Sequence, residues 1–416
     1  MSLARIDPGP PYPRRWFYGL RWLDLLIYRV TWTAITVILK GPVRLKGFGH
    51  RSLPQDGPML LLSNHLTVMD PFMAGWLPYR PSRFMASAQP LKTPFLGAWL
   101  KSLGAFPKKK FVKDRGSMTV LQEFYDNGQQ IMIFPEGSRA WDGRQMPIGE
   151  GIGRLVKRLG SGVTISRMTS AYYFWPRWAK YPRFVPMHIE YEGPYRWPES
   201  ATPAEITREI AELLDCEQKI PEGYLTWGFR TAHGLSAYLW ACPHCFALDG
   251  LDVAAHDGNR IQCGTCNATW KVALDTTLEP DADNHPRLTV AEAYDRIDAH
   301  FTERPVQDAA RFEAEGIAFE GEDGVLLKAR TGARGFDVVA EGPLVLDGRG
   351  LSVDGTTRLE FDELKAVSVE LGNKVQLRTN DRLYRLVPES GSVLRWGHFI
   401  HRWRCSVQGL PHTPLG

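Results

Sequence analysis

Apolar residues reach this chain first as short unbroken runs and only later as alternations. Residues 59–62 are apolar throughout and end at Ser63, the signature of a strand covered on both faces. Residues 130–134 repeat that run after Gln130, and 83–88, 163–168 and 183–192 add three further strand patterns. Helical patterns lie between them at 95–103, at 117–127 with Gly128 in the capping position, and at 149–159. Strands alternating with helices predict an α/β sheet with helices on both faces. Upstream, residues 16–39 are strongly apolar, but Arg21, Asp24 and Arg29 interrupt them. The uncharged remainder, 30–39, is too short to span a bilayer. With Arg14, Arg15, Lys40 and Arg44 at its flanks, this segment fits either a helix lying in an anionic membrane interface or one packed on the following domain. No small-residue cleavage site follows an apolar core, so no signal peptide is expected.

Two capping boxes open later helices: Thr202-Pro203-Ala204-Glu205, running to Leu214, and Thr289-Val290-Ala291-Glu292, running to Phe301. From about Phe319 the period changes to two. Val367, Val369 and Leu371 meet a Gly372-Asn373 turn and return through Val375 and Leu377; Asn380-Asp381 turns the chain again before 383–387. Val393, Trp396, Phe399, Ile400 and Trp403 form the stripe of a last helix. A strand meander closed by one helix resembles a pleckstrin-homology-like barrel, which could bind a lipid headgroup or a protein, or simply pack. These changes of period divide the chain into a membrane-associating helix (1–42), an α/β domain (43–228), a cysteine-bearing segment (229–285) and a helix with a β domain (286–416).

A chain of 416 residues has room for two or three cores, and a net charge of +4 gives no polyanion affinity by itself. No nucleic-acid partner is expected, since nothing interleaves basic and aromatic residues near the cysteines. Fourteen tryptophans and fourteen tyrosines suit work at a lipid–water boundary. Tyr172 to Trp175 and Trp178 to Tyr181, with Arg177, Lys180 and Arg183 among them, read either as a membrane contact or as an aromatic packing loop. Cys242-Pro243-His244-Cys245 and Cys263-Gly264-Thr265-Cys266 have the spacing of a four-cysteine zinc ribbon. Four thiolates close the tetrahedron, so the metal would be structural. Such cysteine usage points to a reducing compartment, with Cys216 and Cys405 as ordinary thiols.

Two stretches carry chemistry. In Asn64-His65-Leu66-Thr67-Val68-Met69-Asp70, Pro71 starts a new helix directly after the carboxylate. The resulting bend can return Asp70 to His65, where it would fix one imidazole nitrogen and leave the other as a general base. Downstream, Phe134-Pro135-Glu136-Gly137-Ser138-Arg139 sits at a strand's end, where open parallel sheets place ligands. Asn-His, four residues, then Asp, followed by this second motif, resembles the glycerolipid acyltransferase family (PlsC-like lysophosphatidate acyltransferases) over about 43–193.

The resemblance implies a glycerol-3-phosphate-acyltransferase-like sheet in which His65, oriented by Asp70, deprotonates an acceptor hydroxyl. Glu136, Gly137, Ser138 and Arg139 would hold the acceptor's phosphate. Lys110 stands where the family usually has arginine and would bind phosphate as a point charge without a bidentate fork. The fourth family block, at 163–168, lacks the usual proline and carries Arg167. The implied activity moves an acyl group from acyl-CoA or acyl carrier protein to a lysophospholipid, first of all 1-acyl-sn-glycerol 3-phosphate, on the cytoplasmic side of a membrane. Glycerol 3-phosphate, another lyso-lipid, or an inert lipid-binding adaptor are the alternatives.

Overall fold

The computed structural model describes residues 21–411 except 42, 55–56, 76–81, 88–89, 109–114, 284, 304, 331–334 and 371–373. Arg14, Arg15, Lys110 and the Gly372-Asn373 turn lie outside the described residues. The chain forms two compact units, Met1–Arg177 with Pro182–Gly228, and Trp178–Tyr181 with Phe229–Gly416.

The first unit begins with helix α1 (Arg21–Lys40) and strands β1 (Lys46–Phe48) and β2 (Met59–Ser63), then α2 (Asp70–Ala74) and β3 (Ser82–Ser87). After α3 (Pro94–Ser102) come β4 (Ala105–Lys108), α4 (Arg115–Asp126), β5 (Gln130–Ile133), α5 (Gly151–Leu159) and β6 (Val163–Met168). The unit closes with α6 (Ala171–Phe174), β7 (His188–Tyr195) and α7 (Pro203–Leu214). The sheet order is β1-β7-β6-β2-β5-β3-β4. All pairs are parallel except β6 with β7.

Central β2 pairs with β5 and β6 and is buried along its whole length, which is why its sequence is unbroken apolar. Its side chains alternate between two cores. Leu61 packs with Met73, Met132 and Tyr172 on the face covered by α1, α2, α3 and α6. Leu60 and Leu62 pack with Phe106, Leu121, Ile152 and Ile206 on the face covered by α4, α5 and α7.

Helix α1 buries Ile35 and Leu39 and receives the Trp99 indole N–H on Thr31 Oγ1 at 3.0 Å, so it packs against α3. Leu26, Val30, Val37 and Ile38 on it stay exposed. No described helix is long and apolar enough to cross a membrane.

One expectation changes here. The strand expected over 183–192 begins at His188, because Pro186 interrupts the run and cannot donate to a ladder. Phe184 instead bridges to Trp227 and stacks on it with ring centres 3.8 Å apart. Much of the aromatic run turns inward: Tyr172, Phe174, Arg177 and Arg183 are buried, as a packing loop requires, while Tyr173 and Trp175 are half-buried.

In the second unit, α8 (Leu235–Tyr238) precedes β8 (Leu251–Val253), β9 (Arg260–Cys263), β10 (Thr269–Val272), β11 (Thr277–Pro280) and β12 (Leu288–Thr289). These five strands form one antiparallel sheet in chain order. After α9 (Val290–Glu303) and α10 (Ala309–Glu315) come β13 (Ile317–Ala329), β14 (Phe336–Asp347), β15 (Gly350–Val353), β16 (Thr357–Glu360), β17 (Ala366–Glu370), β18 (Lys374–Arg378) and β19 (Leu383–Pro388). They form an antiparallel sheet ordered β16-β15-β14-β13-β19-β18-β17, followed by α11 (Val393–Gln408). This is the meander and terminal helix that the alternation predicted.

Trp240 packs against Phe301, His398 and Phe399, so the cysteine-bearing sheet and the C-terminal sheet share a core. Arg395, buried in α11, pairs with both Asp249 and Glu322 and ties the two sheets together.

Candidate active site

The site forms where β2 and β5 end side by side. Immediately past β2, buried Asn64 clasps the end of β6: its Nδ2 donates to Met168 O at 3.0 Å, and its Oδ1 accepts from Met168 N at 2.9 Å. This fixes the exit direction of the chain, so the next residue, His65, points to the sheet's open end. The His65 backbone is held by the loop after β5. Its N–H donates to Glu136 Oε1 and its carbonyl accepts from Ala140 N, each at 2.8 Å.

The expected bend then returns the carboxylate. Asp70 opens α2, fully buried, with Pro71 next to it. Its Oδ2 lies 2.8 Å from His65 Nδ1 and accepts from Leu66 N at 2.6 Å and Thr67 N at 2.9 Å; Oδ1 lies 3.0 Å from Thr67 N. A carboxylate in such a nest of donors accepts the Nδ1 proton, so the Nε2 lone pair is free. Phe134 stacks on the imidazole with centroids 4.3 Å apart and rings 23° from parallel.

Burial lowers the His65 pKa below its ordinary 6.5 and outweighs the hydrogen bond and charge of Asp70, which raise it; the charges of Arg139 and Arg177 add to the lowering. The imidazole is therefore neutral near pH 7, as a base must be.

The second motif divides its labour unevenly. Both oxygens of Glu136 are occupied, Oε1 by His65 N and Oε2 by Met146 N, each at 2.8 Å. Glu136 thus fastens the histidine turn to the following loop, and it forms no ion pair with Arg139 among the described residues. Burial pushes its pKa up to about 7 against the two backbone N–H donors. Gly137 has φ +69°, and a Cβ there would meet nothing within 4 Å. Glycine is required by the left-handed backbone, not by crowding.

Ser138 and Arg139 are partly exposed, and their side chains form no hydrogen bond or ion pair with described residues. Burial lowers the Arg139 pKa and the charge of Asp70 raises it; the guanidinium stays charged. A neutral base and an uncommitted cation therefore share one rim. Such a site can take a proton from a hydroxyl while holding an anion attached to the same molecule.

Residues 44–170 match the family model described as Acyltransferase. The chain carries an acyltransferase domain. Among solved structures, the 1-acyl-sn-glycerophosphate (LPA) acyltransferase PlsC from Thermotoga maritima is 19% identical, covering 48% of this chain and 86% of its own, with a TM-score of 0.34. The N-terminal PH domain of human ARAP2 protein is 16% identical, covering 23% of this chain and 88% of its own, with a TM-score of 0.18. No curated protein sequence matches the chain.

Within the acyltransferase domain, the atypical Arg167 has a structural explanation. It bonds to Glu192 Oε2 at 2.7 Å and to Leu213 O at 3.0 Å, which ties β6 to β7 and α7. Cys216, half-buried beside Asn64, has its thiol pushed up to about 11 by burial and is no nucleophile. The sequence places Asn64 in the histidine motif but gives it no role, because its partner, Met168, is over a hundred residues away.

The four sulfurs of Cys242, Cys245, Cys263 and Cys266 lie within 4.8 Å of one another, with Cys242–Cys266 at 3.9 Å and Cys245–Cys263 at 3.7 Å. A tetrahedron with metal–sulfur bonds of about 2.3 Å needs sulfur edges near ~3.8 Å. The cluster fits one metal ion. At Cys263 burial raises the thiol pKa, but backbone N–H donors from Cys266 and Thr265 bring it down to about 7.

Proposed function

We propose that this protein transfers an acyl group from a thioester, acyl-CoA or acyl carrier protein, to the free hydroxyl of a lysophospholipid. The first acceptor is 1-acyl-sn-glycerol 3-phosphate, giving phosphatidate in phospholipid synthesis. The observation that carries this is the His65–Asp70 pair, 2.8 Å apart, sharing a rim with an uncommitted Arg139. His65 Nε2 takes the hydroxyl proton as the oxygen attacks the thioester carbonyl. The C–S bond breaks, and the leaving sulfur takes that proton back from the imidazolium. No protein nucleophile is needed. Arg139 and Ser138 hold the phosphate; Lys110 is assigned to the same anion by resemblance alone.

The test is a panel of acceptors with each donor: lysophosphatidate, glycerol 3-phosphate and zwitterionic lyso-lipids. Preferential acylation of lysophosphatidate supports the reading, and no transfer to any of them defeats it. The four-cysteine cluster would hold a structural Zn²⁺, and the exposed apolar side chains of α1 would rest on an anionic membrane surface as a peripheral contact. Deleting residues 1–39 should then abolish pelleting with anionic liposomes; unchanged pelleting would exclude α1 as the anchor.

A further inference from the structure

One peptide group in the site, between Arg139 and Ala140, is held from both sides. Its N–H donates to the His65 carbonyl at 2.8 Å. Its carbonyl accepts from Arg177 Nη1 at 2.7 Å. The Arg177 guanidinium also lies over Trp141, with Cζ 3.7 Å from the ring centroid. Arg177 and Trp141 are each 9% exposed. Arg177 lies beyond the matched segment 44–170 and follows Pro176 in a run whose composition resembles a membrane contact. A guanidinium is costly to bury unless its charge is answered; here a backbone carbonyl and an indole face answer it.

We infer that Arg177 is a positioning residue: it fixes the one peptide plane that joins the histidine turn to Arg139, and so sets where the anion-binding arginine stands relative to the base. This rests on the acyltransferase reading and deepens it. The carbonyl of that plane has no freedom while Arg177 holds it, and the N–H cannot rotate without releasing His65. Loss of Arg177 therefore loosens Arg139 and the base loop together, although Arg177 itself need touch no substrate. Its charge also contributes to keeping the imidazole neutral, so the same substitution raises the His65 pKa. A residue that merely filled the core would not produce that paired signature.

The experiment measures sn-glycerol 3-phosphate binding by calorimetry and the His65 imidazole titration by NMR, in the full-length protein. R177M should weaken binding roughly tenfold, the usual worth of a hydrogen bond to a charged group, and move the His65 titration to higher pH. R177K, which keeps the charge, should titrate like wild type and bind with intermediate affinity. R139Q should weaken binding, and adding R177M to it should cost nothing more, since both act through one contact. Wild-type affinity and titration in R177M, additive losses in the double variant, or no binding by wild type would overturn the inference. Should R177M fail to fold, R177K decides: weakened binding with a normal melting curve supports it, and wild-type binding overturns it. None of these readouts needs turnover. A protein that binds the phosphate as described yet transfers no acyl group would defeat the acyltransferase reading alone.

Discussion

Replacing Asp70 by asparagine should separate holding the base from making it a base. The Asp70 carboxylate meets three N–H donors, His65 Nδ1, Leu66 N and Thr67 N, through four contacts between 2.6 and 3.0 Å. Asparagine has the same shape but one acceptor oxygen. With that oxygen in the Oδ2 place, all three donors keep a partner, each bond losing its charge assistance at about 1 kcal/mol. The new amide NH₂ then confronts Thr67 N. With the amide reversed, Leu66 N is left buried without an acceptor, at about 1–3 kcal/mol, and His65 must carry its proton on Nε2. Either way, stability should fall by about 3 kcal/mol, measurable by urea denaturation. The rate should fall by about 10³ to 10⁴, because either the imidazolium loses its counter-charge or the wrong tautomer is present. Thiol release from the acyl donor gives kcat and the acceptor KM separately. KM should stay within about threefold, since Asp70 is buried away from the acceptor. A folded D70N that keeps a tenth of the wild-type kcat, or whose loss lies wholly in KM, would refute the reasoning.

Because burial lowers the His65 pKa, kcat/KM should rise with pH through a midpoint below 6.5 and be level at neutral pH; a midpoint above 7 would contradict a neutral resting base. Glu136 acts on stability in the opposite sense. Its folded pKa of about 7 lies above the ordinary 4.5, so its contribution is fully present below pH 4.5 and is lost as pH rises through 7, at most about 3 kcal/mol. Wild type minus E136Q, compared by melting between pH 5 and 8, should decline across that window; a flat difference would show that Glu136 does not titrate there. Stripping the metal with a chelator should release one equivalent per chain and destabilise the second unit by the order of 5 kcal/mol. Elemental analysis and calorimetry check this, and absence of bound metal in freshly purified protein would refute it.

Much of the catalytic rim was legible because its signals are local. An unbroken apolar run marks β2, Pro71 marks the helix start, and the bend between them dictates where Asp70 returns. The capping boxes at Thr202 and Thr289 likewise contain both of their partners within four residues. What was not legible depends on partners distant in sequence. Asn64 needs Met168, and Arg177 needs Arg139 and Trp141, so buried arginines among aromatics look like a surface until the fold supplies their acceptors. The motif glutamate was misleading for the same reason. The resemblance puts Glu136 with Arg139 in the phosphate cradle, yet its oxygens reach the backbone of His65 and Met146. The late start of β7 follows from Pro186, whose missing N–H outweighs the apolar pattern around it.

The most direct test is acyl transfer to lysophosphatidate by purified wild type and H65A, matched for melting temperature and metal content. A neutral imidazole that takes the acceptor proton predicts robust transfer by the wild type and a loss of at least a thousandfold in H65A. Near-normal transfer by a folded H65A would mean that the acyl group moves without the base.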